Sequence, residues 1–403
     1  MNSGSRKQFA PQAQQSEVPI QQAATSSPRM AFPSQTAIGT TPPVTLSQRV
    51  AASKAHIPRV AALIALVSRP HKSLITAVRK GNPSKVCKIL NDQKKAVLLD
   101  RTFLDWALRE MAKQGYEWVV QLLLEKGANV NTAARGEDTA LMGASRNGHE
   151  QVVRLLLENG ADLNAAGDHD TALTFASRNG HEQIARLLLE NGAHVNAFGE
   201  HGYTALVCAS QNGYKQVVQL LLEKGADLNP TGEYGDNALV SASRNGHEQI
   251  VRLLLEKGPA IDTARRHGAT ALVSASQNGH EQIVRLLLEE GTDPDTTGWG
   301  DDTALVCASQ KGHKQIVRLL LEKGADINDT RGGDTALVGA ARNGHEQVVQ
   351  LLLEEGAVVN AVGEFGFTAM RAASRKGYEN IERLLIEYGA QPISLISGSY
   401  SDD

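Results

Sequence analysis

One segment of this sequence recurs at a nearly constant interval along most of the chain. A glycine followed by His or Tyr recurs nine times at intervals of 32 or 33 residues, at Gly115, Gly148, Gly180, Gly213, Gly246, Gly279, Gly312, Gly344 and Gly377. A weaker copy around Gly81 lies 34 residues before the first of them. A period of 20 to 50 residues is typical of a repeat array. The 403 residues are therefore predicted to form an array, although their number also allows two or three globular domains.

The residues within one period predict two short helices and a loop. Thr139 has a hydroxyl suited to capping a first helix over 140–145, and Asn147 with Gly148 supplies a left-handed turn. A second helix follows, whose apolar residues lie between 152 and 157. The remaining eight to ten or so residues favour a hairpin loop over another helix. One such pair cannot bury its own apolar face, so the units are expected to stack on their neighbours.

The run G-H-E-Q-V-V-R-L-L-L-E-N-G-A-D-L-N, at this period, resembles ankyrin repeats over residues 73–391, with about ten units of which the first two are degenerate. The resemblance implies an all-α, ankyrin-type solenoid of stacked helix-turn-helix units with hairpin loops. The family's T-P-L-H motif at the start of the first helix is replaced by T-A-L. This motif is similar to that of filamentous-fungal ankyrin-repeat proteins, whose arrays often follow a nucleotide-binding regulatory domain. The family's histidine is mostly valine here, so its hydrogen-bond network is expected to be absent or rebuilt at Val207, Val240, Val273, Val306 and Val338.

The segments outside the array differ from it in composition and charge. Residues 1–45 are rich in Ser, Gln, Thr, Ala and Pro, which predicts a disordered leader. Residues 46–72 are expected to form short helices or a linker, and 392–403 a flexible tail. Residues 1–72 carry eight basic residues and one acidic residue, whereas the remainder carries 33 basic and 43 acidic residues. The acidic body argues against nucleic acid as a partner, and only the basic leader has a charge suited to anchoring on nucleic acid or anionic lipid.

Cysteine usage and hydropathy predict an intracellular location. Three cysteines (Cys87, Cys208 and Cys307) do not form a disulfide framework in a chain of this length, and the last two occupy the same repeat position as small apolar fillers. There is no secretory signal, and the apolar run at 60–67 is too short to span a membrane. We expect a soluble monomer in the cytoplasm, the nucleus or both. The acid-poor leader leaves organelle import as the alternative.

The motifs predict no catalytic, metal or cofactor site. The chain lacks the G-x-x-x-x-G-K-[ST] loop that cradles nucleotide phosphates. Six of the twelve histidines recur at one repeat position, where Tyr also occurs, which predicts a structural role at the start of the second helix for His149, His181, His247, His280, His313 and His345. Acidic hairpins lack the glycine-punctuated loop of an EF-hand. The protein is therefore predicted to be no enzyme, with no cofactor and no small-molecule substrate.

The positions that vary between units are the candidate binding residues. The resemblance implies that partners bind along a concave face formed by the hairpin tips and the first helices. On the hairpins this implies contacts from Tyr203, Tyr234, Trp299, Phe365 and Phe367, and Trp and Tyr are common interface anchors. On the first helices it implies contacts from Arg146, Arg178, Arg244, Arg342 and Arg375. The alternatives are that the aromatic side chains pack on neighbouring hairpins and that the basic strip is only a solvated face.

The predicted function is that of a non-enzymatic scaffold for an unidentified protein partner. One alternative is a sensor or regulatory module separated from a larger signalling ATPase. A second is a scaffold whose leader anchors it to nucleic acid or to a membrane.

Overall fold

The computed structural model describes residues 72–92, 100–133, 138–165, 170–199, 202–229, 236–258, 271–298, 301–331 and 333–391. The predicted leader, nearly all of the segment 46–72 and the predicted tail lie outside these ranges. Within them the secondary structure is helical, apart from three isolated β-bridges. The prediction of an all-α solenoid is confirmed.

The helices come in pairs, one pair in each unit. Residues 72–79 are helical and form the first pair with α1. The others follow in chain order: α1 (Pro83–Asn91), α2 (Arg101–Lys113), α3 (Glu117–Glu125), α4 (Ala140–Arg146), α5 (Glu150–Glu158), α6 (Ala172–Arg178), α7 (Glu182–Glu190), α8 (Ala205–Asn212), α9 (Lys215–Glu223), α10 (Ala238–Arg244), α11 (Glu248–Leu255), α12 (Ala271–Asn278), α13 (Glu281–Glu289), α14 (Ala304–Lys311), α15 (Lys314–Glu322), α16 (Ala336–Arg342), α17 (Glu346–Glu354), α18 (Ala369–Lys376) and α19 (Glu379–Glu387).

Each first helix whose preceding residue is described begins with a side-chain cap. In α4, the hydroxyl of Thr139 accepts a hydrogen bond from the backbone N–H of Met142 at 3.2 Å. Such a cap satisfies one of the backbone donors that a helix start leaves free. Thr204 makes the same bond to Val207, and Val207 is buried. The valine that replaces the family's histidine thus packs in the core, and the cap bond of the preceding threonine remains.

The turn between the two helices links one unit to the next. Gly148 has φ of +81°, and a Cβ there would lie 2.6 Å from Cε1 of His181 in the next unit. Backbone conformation and space therefore both favour glycine. The Nε2 of His181 lies 3.1 Å from the carbonyl oxygen of Arg146. The other five histidines at this position make the equivalent bond, to the carbonyls of Lys113, Gln211, Arg244, Gln277 and Gln310. Their predicted structural role is confirmed.

The second helices supply most of the large core side chains. In α5, Val152, Val153 and Leu156 are buried, and the matching residues of the other units join them in one core that runs from Leu74 to Ala390. First helices pack on first helices, and second helices pack on second helices. Burying a side chain such as Leu156 contributes about 1.5–3 kcal/mol. Most of this burial depends on the neighbouring units, which is why the units stack.

The hairpins project from the first helices and are joined by side-chain bonds. Asn131 Oδ1 accepts from the backbone N–H of Asp162 at 2.8 Å, and Asn164 Oδ1 accepts from that of His194 at 2.9 Å. Asn196, Asp295, Asn328 and Asn360 repeat this bond further along the array. Three hairpins close by the isolated bridges Phe198–Thr204, Thr297–Thr303 and Val362–Thr368. The variable loop residues are thereby held beside the starts of the first helices.

Candidate interaction surface

Two positions flank a first helix, one directly before its capping residue and one in its last turn. The cap-adjacent position is the residue directly before the capping Thr or Asn, and the helix-end position comes eight residues later. Four units place an aspartate at the first position and an arginine at the second. We call this ion pair the Asp–Arg clasp, and it joins Asp138 to Arg146, Asp170 to Arg178, Asp236 to Arg244 and Asp334 to Arg342.

The clasp is a close contact with a largely buried acid. Arg342 reaches Asp334 with two nitrogens, at 2.5 and 3.0 Å, and Arg178 reaches Asp170 at 2.5 and 3.3 Å. The side chain of Asp170 is 0 % exposed and that of Asp334 is 4 % exposed, whereas their arginines remain about one-third exposed. Two-point contacts of this kind fix the guanidinium orientation. The clasp therefore braces the hairpin against the end of its own first helix.

Four of the five arginines predicted as partner contacts are members of a clasp. Arg146, Arg178, Arg244 and Arg342 each have an acidic partner inside their own unit, so their charges are neutralised locally. The hydrogen bond that Arg244 donates to Asp236 raises the pKa of Arg244 above its ordinary value. Arg146 also lies over the ring of Phe175 in the next unit, 3.8 Å from its centroid. Partner binding by these four residues stays a prediction, and their observed contacts are structural.

Sequence reasoning missed the clasp although the sequence contains a signal for it. An arginine at the helix-end position coincides with an aspartate eight residues earlier in four units. Three units have glutamine instead, at Gln211, Gln277 and Gln310, and only the last of these follows an aspartate. Gln211 and Gln277 are exposed and Gln310 is partly exposed. Comparing the two positions across the units would have revealed the pairing.

The predicted aromatic anchors are only partly within the described structure. Tyr203 and Phe367 both occupy the cap-adjacent position and are half-buried, and their carbonyls close the hairpin by accepting from the N–H groups of Gly199 and Gly363 at 2.8 Å. Tyr234, Trp299 and the side chain of Phe365 lie outside the described residues. The two aromatic rings that are described thus stand where other units carry the acid of the clasp.

The tenth unit keeps the arginine of the clasp but not its acid. Phe367 replaces the aspartate, and the guanidinium carbons of Arg371 and Arg375 lie 4.7 and 5.7 Å from the centroid of its ring. A pocket of about 270 Å³ opens here, lined by Arg342, Phe367, Ala372, Arg375 and Lys376. We call it the cation–phenylalanine pocket. Arginine over an aromatic face is a favourable contact, which holds the two cations beside the pocket.

The eighth unit shows the reverse substitution, since it keeps the acid and has glutamine in place of the arginine. Burial, reinforced by the carboxylates of Asp334, Glu364 and Asp301, raises the pKa of Asp302 to about 6. The adjacent Asp301 adopts a left-handed backbone conformation, with φ of +61°. With no arginine at the helix-end position to oppose burial, Asp302 thus holds its proton to a higher pH than an ordinary aspartate.

The cysteines behave as buried fillers, as predicted. Cys208 and Cys307 are buried and free, and burial raises the pKa of Cys307 to about 12. Burial also raises the pKa of Cys208, although Arg178 donates a hydrogen bond to its sulfur at 3.6 Å. A thiol with a raised pKa is a poor nucleophile at neutral pH. Neither cysteine has the environment of a reactive site.

Other surfaces of the array offer less specific chemistry. A depression of about 430 Å³ lies between α9 and α11 on the side of the second helices, and it is lined by charges of both signs with Leu222 and Leu253. The described residues contain no group of three or more His, Cys, Asp or Glu side chains placed to hold a metal ion. In the same residues, no helix combines the length and apolar character needed to cross a membrane.

The fold and this surface define a class of protein, the helical-repeat solenoid with variable hairpins. The family model described as "Ankyrin repeats (3 copies)" matches overlapping stretches that together cover residues 74–394. The chain belongs to the ankyrin-repeat family. Among solved structures, the chain is similar to the human ASB11 ankyrin repeat domain, with 27 % identity and a TM-score of 0.50 over 55 % of this chain and 98 % of that one. A search of curated proteins gave no match.

Proposed function

We propose that the array is a non-enzymatic scaffold that binds a protein partner along its hairpins and the exposed ends of its first helices. Ankyrin repeats are in general protein–protein interaction modules. One observation supports this use of the surface most directly. Most of the residues that recur from unit to unit are buried or bonded within the array, whereas the cap-adjacent and helix-end positions carry different residues in different units.

Charge and exposure reduce the number of residues that are candidates for contacting the partner. Arginines in a clasp already have a partner, and a second carboxylate would compete with the first. Gln211, Gln277 and Lys311 lie at the ends of first helices, are exposed and make no clasp. We therefore assign these positions, together with Tyr203 and Phe367, to the partner-binding surface. Interface energy is usually concentrated in a few such residues.

A pair of matched variants tests this proposal. The first carries Gln211→Glu, Gln277→Glu and Lys311→Glu on the first helices. The control carries Gln216→Glu, Gln282→Glu and Arg318→Glu on the second helices, where all three residues are also exposed. Both variants change the net charge equally. Quantitative affinity purification from cells is expected to lose a defined set of proteins with the first variant and to retain them with the control.

Two outcomes would contradict the proposal. If both variants recover the same proteins as the wild type, the first-helix ends are not the binding surface. If only the control variant loses its partners, the second helices bind them. Thermal unfolding of the variants should be close to wild type, because exposed substitutions away from special contacts change stability by about 0.5 kcal/mol or less.

A further inference from the structure

The tenth unit departs from the other units at two positions that touch each other. At the cap-adjacent position it has Phe367, where four units have the aspartate of a clasp. At the third residue of its first helix it has Arg371, where the matching residues of other units, such as Val338, are buried in the core. The Arg371 guanidinium lies over the Phe367 ring. The two substitutions therefore build one local arrangement.

The three cations on the first helix of this unit have no ion pair among the described residues. The described ion pairs include none for Arg371, Arg375 or Lys376, and the aspartate that would pair with Arg375 is replaced by Phe367. Arg375 and Lys376 are exposed, and Arg371 is partly exposed. The neighbouring Arg342 completes the wall of the cation–phenylalanine pocket but is held by Asp334. One side of the tenth unit thus presents three uncompensated positive charges around an aromatic ring.

The helix dipole explains the positions of two of these cations on α18 and not the position of the third. Arg375 and Lys376 lie in the last turn of α18, where a positive charge is favoured by the helix dipole. Arg371 lies in the first turn, where the dipole disfavours a cation. The contact with the Phe367 ring offsets this cost but leaves the charge of Arg371 without an anionic partner. An anion held by both guanidinium groups beside the Phe367 ring would give Arg371 and Arg375 a common partner.

We propose that the cation–phenylalanine pocket binds carboxylate side chains of an acidic segment in the protein partner. This inference rests on the proposed scaffold function and specifies the chemistry of its partner. Guanidinium groups bind carboxylates through charge-assisted hydrogen bonds, and a ring beneath them limits their freedom. The pocket has room for one or two side chains.

The surroundings favour an acidic peptide over a nucleic acid. Glu364 donates its backbone N–H to Asp334, so the exposed Glu364 lies where the hairpins of the ninth and tenth units meet. A continuous phosphate backbone would approach this acid as well as the arginines, and residues 73–403 carry ten more acidic than basic residues. A peptide can place a carboxylate in the pocket and neutral residues against the hairpin.

Fluorescence anisotropy with the full-length protein tests the proposal. The probe is a short labelled peptide of alternating glutamate and serine, and its control is the same peptide with glutamine in place of glutamate. The wild type is expected to bind the glutamate peptide and not the glutamine peptide, with an affinity that falls as salt is added. The variant with Arg371→Gln and Arg375→Gln is expected to bind it at least roughly tenfold more weakly.

The matched control removes two exposed cations elsewhere, by Arg318→Gln and Lys323→Gln at the second-helix side. It is expected to bind within about twofold of wild type, because charges beyond one Debye length are screened. Equal losses in both variants, or no binding of the glutamate peptide by the wild type, would overturn the proposal. Stronger competition by an RNA oligonucleotide than by the unlabelled glutamate peptide would overturn it in favour of nucleic acid.

The same variants separate this inference from the scaffold function. If the Arg371→Gln, Arg375→Gln protein recovers every cellular partner while the first-helix variant loses them, the scaffold stands and the acidic partner is wrong. If neither variant loses a partner, the scaffold surface itself is wrong. Circular dichroism should show that the Arg371→Gln, Arg375→Gln protein is folded, since Arg371→Gln removes a charge that opposes the helix dipole.

Discussion

The ninth and tenth units are neighbours that use the same two positions in opposite ways. In the ninth unit, Asp334 and Arg342 form a clasp with an almost fully buried acid. In the tenth unit, Phe367 takes the place of the acid and leaves the charge of Arg375 beside an open pocket. The comparison teaches that an arginine at the helix-end position is a structural residue or a candidate binding residue according to the side chain eight residues before it.

The largest expected effect comes from breaking the clasp of the ninth unit. Asp334→Ala is expected to lower the free energy of unfolding by about 2–3 kcal/mol, since it leaves Arg342 and the N–H of Glu364 without their acceptor. Urea denaturation measures the change. Glu355→Ala, at an exposed acid of the same unit, serves as the control and should stay within about 0.5 kcal/mol of wild type. Equal effects would show that the clasp contributes nothing.

A smaller effect on the free energy of unfolding is expected at the position directly before the second helix, where the ninth unit has His345 and the tenth unit has Tyr378. His345→Phe should cost about 1 kcal/mol, because the carbonyl of Gln310 loses the ring nitrogen that now lies 3.0 Å from it. Tyr378 holds the same repeat position in the tenth unit, and none of the described hydrogen bonds uses its hydroxyl. Tyr378→Phe should therefore change stability little. A similar loss in both variants, measured by thermal or urea unfolding, would contradict this assignment.

The eighth unit extends the comparison, since it keeps the acid without the arginine. The folded-state pKa of Asp302, about 6, lies above its ordinary value of 3.8. The folded state therefore binds the proton more tightly, and stability is expected to fall as pH rises from about 4 to about 6 and to stay lower above that. Asp302→Asn should be more stable than wild type at pH 8, by on the order of 1 kcal/mol after solvent screening, with the difference vanishing toward pH 4.

Gln310→Arg is the control for the pH dependence of stability. Gln310→Arg should supply the missing partner and remove most of the difference between the wild type and Asp302→Asn, because a nearby guanidinium favours the ionised carboxyl. Denaturation midpoints across the pH range measure both variants. A constant difference between wild type and Asp302→Asn from pH 4 to pH 8 would show that the carboxyl does not titrate in this range.

The smallest effect on stability is expected where a clasp is rebuilt. Phe367→Asp should change the free energy of unfolding by roughly 0.5 kcal/mol or less, because the lost ring contacts offset the new pair with Arg375. Binding of the glutamate peptide should nevertheless fall at least tenfold or so, since the new carboxylate occupies the guanidinium. Unaltered peptide affinity in Phe367→Asp would show that Arg375 does not bind the peptide.

Much of the array could be predicted from the sequence, because repetition identifies the residues that build it. The glycine turn at Gly148, the recurrent histidines and the fillers Cys208 and Cys307 all have the predicted roles. Each of these roles depends on local geometry or on the adjacent unit, and both repeat along the chain. A single period therefore contains most of the information about the scaffold.

The surface was harder to predict because charge alone does not reveal pairing. Arg146 and Arg375 occupy the same repeat position, yet one is bonded to Asp138 and the other lies over Phe367. The difference depends on the residue eight positions earlier, just before the helix, which the arginine side chain from the last turn contacts. Position-by-position exposure predicts both arginines as contacts. Only the pair of positions distinguishes them, and the structure is what brings those positions together.

The rate at which an arginine-selective dicarbonyl reagent modifies each guanidinium tests this central claim most directly. Peptide mapping by mass spectrometry gives separate rates for Arg342 and Arg375 in the folded wild type and in Phe367→Asp. We predict that Arg375 reacts several-fold faster than Arg342 in the wild type and that its rate falls to that of Arg342 in the variant. Equal rates for the two arginines in the wild type, or a rate for Arg375 that Phe367→Asp leaves unchanged, would contradict the account.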